Sequence, residues 1–505
     1  MGPFAMPMFR DFVPKQIRPW IYVCFAFCFL LTGGIYGGTT SHVMGQYSFI
    51  REDVTMITMC NVVGVAMPFP FLFKMKFAFT NHRLLLNAAV MIALCQTLMM
   101  FTQWLPLMCV LAFISGFFKL CGCFECMSNI QLWMTPKREF PIFFPLLYCM
   151  VLGNQFLNAW ISAQLTYITQ DWRAMNLLIV GLMLIIIIVL KLCTRNWHFM
   201  KHPMPFISVD YLGLLLWSSL LLEVVFFFTY GEHYNWFDGR PIRQCAMLFV
   251  VTAYFCLQRM RHIRHAYIDR DAWRYPRLIP LLILFGFEVL MGSSKTVLQP
   301  VLTGKVLHWG WITTSSFHIV EWLSAVAGCL FVMLWIKGWH QKYTRLLTVA
   351  AITISAYPVM MYFLIDTDTT REMFYVPIAF YGFGNAIFFT TLTIYLQELM
   401  PFHHFFMGLT MAGMVRNGPI GAMWSGLYSF GLRYLNADNL SRGLPYDATG
   451  LTMLSLRQLF GLTCIVGCAV ALIFLLWDVQ PVRTAFKRMP LWSVVARTMR
   501  IRERK

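Results

Sequence analysis

Along this chain, apolar runs of about 20 residues, the length that crosses a hydrocarbon core roughly 30 Å thick, alternate with short polar or basic stretches. The runs fall near 19–40, 53–73, 84–102, 105–133, 141–168, 174–193, 211–230, 243–258, 278–301, 310–336, 346–366, 374–400, 404–432 and 456–478, which predicts about fourteen spans. Alternate loops between them hold Lys74, Lys76 and Arg83; Lys137 and Arg138; Lys191, Arg195 and Lys201; the basic segment 259–277; and Lys337, Lys342 and Arg345. With both tails on that side, roughly 28 Lys/Arg lie there against about 9 on the other, so both termini are expected in the cytoplasm and the span number is expected to be even.

Composition narrows the class. The 505 residues are 59% hydrophobic and 12% charged, with a mean hydropathy of +0.63. The charged fraction is about half that of a soluble domain, so the chain reads as an all-α polytopic protein of the cell inner (plasma) membrane. The net charge of +18 does not point to nucleic acid, because the basic residues punctuate apolar runs instead of gathering on one aqueous surface. No nucleophile, base and oxyanion arrangement, zinc-protease motif or phosphate loop stands out, so neither an enzyme nor a cofactor is expected. The thiols of Cys121, Cys123 and Cys126 are spread around a helix axis with no matching His or Cys cluster, and no metal site is expected. The segment 435–453 is the one sizeable outer loop and reads as irregular; it carries a glycosylation sequon, Asn439-Leu440-Ser441. The basic tail from 483 to 505 suits an amphipathic helix on the inner leaflet.

Charged side chains inside a span cost roughly 2.5 to 3.5 kcal/mol each on insertion scales, so they mark contacts or pathways. Glu288, Gly292, Lys295 and Gln299 follow i, i+4, i+7, i+11 spacing and form one stripe on a helix. A rise of about 1.5 Å per residue separates Glu288 from Lys295 by roughly 10 Å, too far to pair along one straight helix. Each therefore needs a partner on another span. In the next span Thr314, His318 and Glu321 share a face, and an imidazole three residues from a carboxylate can pass a proton to it. Glu321 either handles protons or substrate, or pins its span to a neighbour through Lys295. Lys119 and Glu125 point about 120° apart on the fourth span and should meet different neighbours. Asn154, Asn158 and Ser162 form a neutral stripe on the fifth, suited to lining a pathway or to joining helices. Glu223 lies alone in the seventh.

The layout resembles the fourteen-span drug:proton antiporter branch of the major facilitator superfamily, the EmrB/QacA type. Asp171-Trp172-Arg173 resembles the family's S-W-R-W turn. Asp210-Tyr211-Leu212-Gly213 resembles the D-x-x-G start of its two extra central helices, and Val297-Leu298-Gln299-Pro300 the outer end of the first helix of its second half. Residues 407–426, MGLTMAGMVRNGPIGAMWSG, are similar to its A-x-x-x-x-x-R-x-x-G-G-S-x-G pattern, with Arg416, Gly418 and Gly421 on matching positions. Other motifs are degenerate. Thr32 stands where the family has a first-span acid, the loop after the second span keeps only basic character, and Lys119 stands in for a fourth-span Arg.

The resemblance implies a major facilitator fold with an N-terminal six-helix half (1–193), two inserted helices with flanking loops (194–277), a C-terminal six-helix half (278–478) and a basic tail (479–505). It implies proton-driven efflux of hydrophobic or amphipathic compounds, an antiporter of the multidrug-resistance kind, with a periplasmic adaptor and an outer-membrane channel as partners. With the first-span acid missing, proton coupling would fall to Glu288, Glu321, Glu125 and His318. Lys295, Gln299, Arg416, Lys119, Asn154, Asn158 and Thr32 are the cavity or charge-partner candidates. Two other readings stand: transport of a specific metabolite or siderophore without proton coupling, and a membrane sensor or scaffold of the same fold that transports nothing.

Overall fold

The computed structural model describes residues 4–135, 140–198, 209–263, 266–275, 277–339, 343–416, 418–443 and 446–476. Lys137, Arg138, Lys201, Lys342 and the basic tail lie outside them. The N-terminal half comprises α1 (Arg18–Leu31), α2 (Thr40–Tyr47), α3 (Arg51–Ala66), α4 (Leu72–Ala78), α5 (Asn81–Phe101), α6 (Leu105–Met134), α7 (Phe140–Thr169) and α8 (Arg173–Cys193). The insert is a hairpin of α9 (Tyr211–Tyr230) and α10 (Arg240–His262). The C-terminal half contains α11 (Leu278–Val301), α12 (Trp311–Trp339), α13 (Tyr343–Phe363), α14 (Tyr375–Leu399), α15 (Phe402–Arg416), α16 (Pro419–Ser441) and α17 (Ala448–Leu476).

Among the described residues, eleven helical stretches are long and apolar enough to cross a membrane, one of them joining α3 to α4. Three of the fourteen expected spans fall outside that set: the one on the short apolar α1, the one on α10 with arginines at both ends, and the one on the broken pair α15 and α16. The eleven stretches make the chain a multi-pass membrane protein.

Three expected spans are not continuous helices; in the second, a turn at Met67 and Pro68 and one 3-10 turn separate α3 from α4. The first stops at Leu31, where Thr32 is extended (φ −65°, ψ 136°), and resumes only as the short α2. Gly33 and Gly34 lie at the break, and two glycines in succession carry the largest entropic cost of staying helical. The thirteenth breaks between Arg416 and Pro419, because a proline has no N–H to donate and disfavours a helical residue before it. The outer loop is also shorter than expected. α16 runs through the sequon to Ser441, and the Asn439 amide is buried, donating to Ser455 Oγ at 3.0 Å and Gln458 Oε1 at 3.2 Å. Polar composition suggested a loop, but tertiary hydrogen bonds to α17 hold a helix there instead.

Small residues set the closest helix approaches, as expected where lipid supplies no hydrophobic drive between helices. A Cβ on Gly64 would collide with the Phe113 carbonyl and one on Gly116 with the Asn61 carbonyl, so α3 and α6 touch backbone to backbone. The two halves meet along α7 and α12, where Gln164 Nε2 donates to Ser315 Oγ (3.2 Å) and the Tyr167 and Trp311 rings are 6.1 Å apart. On the other side of the molecule α9 packs against both α3 and α16. Its start explains the D-x-x-G spacing: Asp210 is the N-cap, accepting from Gly213 N–H at 2.8 Å.

Candidate functional site

The α11 stripe finds its partners on other helices, as its spacing requires. Glu288 is 3% exposed and receives Arg416 Nε at 3.0 Å and 3.2 Å on its two oxygens. Arg416 is the last residue of α15, so its charge also faces the negative end of that helix. Its guanidinium lies 3.9 Å from the centre of the Phe389 ring. The helix break thus delivers a cation, backed by an aromatic face, to a carboxylate buried among apolar groups.

Two turns along, the Lys295 ammonium donates to Glu321 Oε1 on α12. The other oxygen, Oε2, lies 3.2 Å from His318 Nδ1, which donates to it in the tautomer carrying its proton there. Glu321 is fully buried, whereas the His318 side chain is 35% exposed. His318 is therefore the open end of a three-member chain whose closed end is Lys295. Lys295 also sits 5.7 Å from the ring centre of Phe156, on α7 of the opposite half, and 5.1 Å from that of Tyr381. The chain thus lies where the halves meet. Thr314 is not drawn into it, since its hydroxyl donates to Trp311 O. Gln299 is a helix tie, its Oε1 accepting from the buried Tyr357 hydroxyl at 3.0 Å.

The N-terminal candidates converge on the broken end of α1. The last carbonyls of a helix have no partner within it, and here other helices supply one. Asn154 donates to Phe27 O (2.9 Å), Asn158 to Leu31 O (2.7 Å), Lys119 to Thr32 O (2.6 Å) and Gln96 to Gly33 O (2.8 Å). Lys119 has no carboxylate within 4 Å among the described residues. Among the described residues, the hydroxyl of Thr32 and the amide oxygens of Asn154 and Asn158 have no hydrogen-bond partner.

Glu125 lies apart from both groups, toward the end of the molecule that carries the basic loops. It accepts from Asn81 Nδ2 (2.5 Å) and Asn129 Nδ2 (3.1 Å), and Lys76 lies 3.6 Å from its second oxygen. Tyr22 completes the network by donating to Asn81 Oδ1 at 2.6 Å. Lys119 and Glu125 do meet different neighbours, as their angular separation predicts. Glu223 is joined to Thr252 of α10 at 3.0 Å and ties the hairpin together.

Sequence reasoning passed over Glu398. It accepts from the Tyr343 hydroxyl at 2.6 Å, joining the end of α14 to the first residue of α13, just as Glu125 on α6 is joined to the first residue of α5. A carboxylate three residues before Pro401, in an apolar run, was the available signal. Among the described residues, no three His, Cys, Asp or Glu side chains are grouped to hold a metal ion.

No protein-family model and no curated protein matches this sequence. Its fold does have solved counterparts. An auto-inhibited POT family peptide transporter aligns with a TM-score of 0.57 at 14% identity, covering 95% of this chain and 100% of that one. The POT family transporter PepTSo aligns with a TM-score of 0.56 at 15% identity, covering 92% and 99%. At such identities the likeness is one of fold alone, and the fold is the major facilitator fold that these two transporters have.

Proposed function

We propose that this chain is a secondary active transporter whose two halves open alternately to either side of the membrane, coupled to protons through Glu321. The observation that carries this reading is the position of that carboxylate: buried at the meeting of the halves, shared between Lys295 and the partly exposed His318. A proton entering at His318 passes to Glu321. The neutral carboxyl then no longer holds Lys295 by charge, and the ammonium is left against the Phe156 and Tyr381 rings. Loss of that ion pair changes what the C-terminal half presents to the N-terminal half, which is the differential interaction a conformational shift requires. Glu288 and Arg416, two helix turns along α11 from Lys295, form a second pair that a proton can open.

The resemblance in sequence favours export of amphipathic compounds, which would take a periplasmic adaptor and an outer-membrane channel as partners. A second reading, uptake of short peptides, is favoured by the two fold neighbours, which are POT family transporters. Proteoliposomes with an imposed pH gradient separate them, using ethidium and a fluorescent dipeptide as probes. Gradient-dependent movement of ethidium against the proton flow supports export; dipeptide accumulation with the proton flow supports uptake. Movement of neither probe above protein-free liposomes, together with no proton flux, would count against both.

A further inference from the structure

The insert touches both halves, and it does so at both ends. At the end of α9, the Tyr230 hydroxyl donates to Asp53 Oδ1 of α3 at 2.6 Å, while Glu232 lies 3.5 Å from Arg433 of α16. A Cβ on Gly426 of α16 would come within 2.6 Å of the Phe228 carbonyl of α9. α9 is thus wedged along the seam between the halves.

At the opposite end, residues 266–275 leave α10 and turn inward. Ala266, Tyr267, Ile268 and Ala272 are buried although they belong to a strongly basic segment. Tyr267 reaches the N-terminal half, where its hydroxyl donates to Met67 O at 2.7 Å and its ring lies 6.2 Å from that of Phe71. Asp269 and Tyr275 reach the C-terminal half: Asp269 lies 3.9 Å from His404 Nε2, and the Tyr275 hydroxyl lies 3.1 Å from His404 Nδ1. The root of the segment is fixed to α9, since Asp210 accepts from Tyr267 N–H at 3.0 Å and pairs with Arg259 at 2.6 Å.

Both anchor points adjoin a layer of aromatic rings that closes the same end of the molecule. Phe73 and Phe124 of the N-terminal half lie 4.4 Å and 5.8 Å from Phe406, and Phe144 lies 6.1 Å from Phe405. His404 immediately precedes these two phenylalanines of α15, and Met67 lies a few residues before Phe71 and Phe73. The halves cannot separate at this layer while one strap is bonded to both.

From this geometry we infer that residues 266–275 are a latch that holds the aromatic gate shut, and that the insert must let go of Met67 or of His404 each time this end opens. The inference rests on the alternating opening proposed above, but it is tested without substrate or proton gradient, so the two can fail separately. The experiment is hydrogen–deuterium exchange of the full chain in lipid nanodiscs, comparing the parent with Tyr267→Phe, which removes only the hydroxyl, and Tyr267→Ala, which removes the wedge. Exchange should rise roughly 3- to 10-fold in segments 67–79 and 404–410 for Tyr267→Phe, the factor set by one hydrogen bond of ordinary net strength, and further for Tyr267→Ala. Segments 37–50 and 305–314 at the other end should keep the parent's rates. Unchanged exchange at the gate in Tyr267→Ala would overturn the latch. So would an equal rise at both ends, because the tyrosine would then support the whole fold and not the gate.

Discussion

The two halves use their buried polar groups differently. In the N-terminal half, Asn154, Asn158, Gln96 and Lys119 are committed to the carbonyls of a broken helix, and each meets a neutral backbone group. In the C-terminal half, Glu288 with Arg416 and Glu321 with Lys295 and His318 meet each other as charges. The first arrangement builds a rigid, irregular wall. The second can exist in more than one protonation state, and each change of state alters an ion pair. On the proposed reading, support falls to the cluster at the end of α1 and switching to the pairs of α11 and α12, while the Lys76–Glu125 pair and the Glu398–Tyr343 bond tie helix ends in each half.

The largest effect should follow from breaking a C-terminal pair on one side only. Arg416→Ala leaves Glu288 as a buried unpaired charge and should destabilise the folded protein by about 3 to 5 kcal/mol, read as a lower unfolding midpoint in detergent. Replacing both members, Glu288→Leu with Arg416→Met, should recover most of that loss. A double variant as unstable as Arg416→Ala would show that the arginine matters for packing more than for charge.

Lys119→Met sharpens the other side of the comparison. It strips Thr32 O of its donor and should cost about 1 to 3 kcal/mol, the range for an unsatisfied buried group. Because no carboxylate is left behind, proton-dependent behaviour should survive in it. A Lys119→Met protein that is stable but has lost its pH response would move the switching role into the N-terminal half.

How much of this was readable beforehand follows from what a one-dimensional pattern can carry. The crossings were legible because a bilayer imposes a length on apolar runs, and the need of Glu288 and Lys295 for partners elsewhere followed from helix rise alone. The break after Leu31 was not, since hydropathy is blind to whether the backbone stays helical and Gly33-Gly34 are as apolar as their neighbours. Arg416 was picked out from a motif, but its place at the end of a helix depends on Pro419. The basic segment 259–277 read as one of the cytoplasmic basic loops because its arginines outnumber the buried Tyr267 and Ile268. Asn439 read as a loop residue because its partners, Ser455 and Gln458, lie on the next helix.

A smaller effect concerns the root of the insert. Burial opposes ionisation of Asp210, but the Arg259 guanidinium and the N–H groups of Gly213 and Tyr267 outweigh it and hold the carboxyl below its usual range. A depressed folded value means the stabilisation is complete above the ordinary carboxylate pKa and is lost as pH falls through the folded one. The unfolding midpoint should therefore fall with acid less steeply in Asp210→Ala, which at neutral pH is already weaker by about 1 kcal/mol for the lost cap. Parallel acid dependence in the two proteins would remove Asp210 from this role.

The most direct test of the division between the halves is proton flux in proteoliposomes under an imposed pH gradient, recorded for the parent, Glu321→Gln and Glu125→Gln with whichever probe the parent moves. The account predicts that Glu321→Gln abolishes gradient-driven movement while passive exchange of the probe continues, and that Glu125→Gln keeps both. Gradient-driven movement that persists in Glu321→Gln and is lost in Glu125→Gln would contradict it.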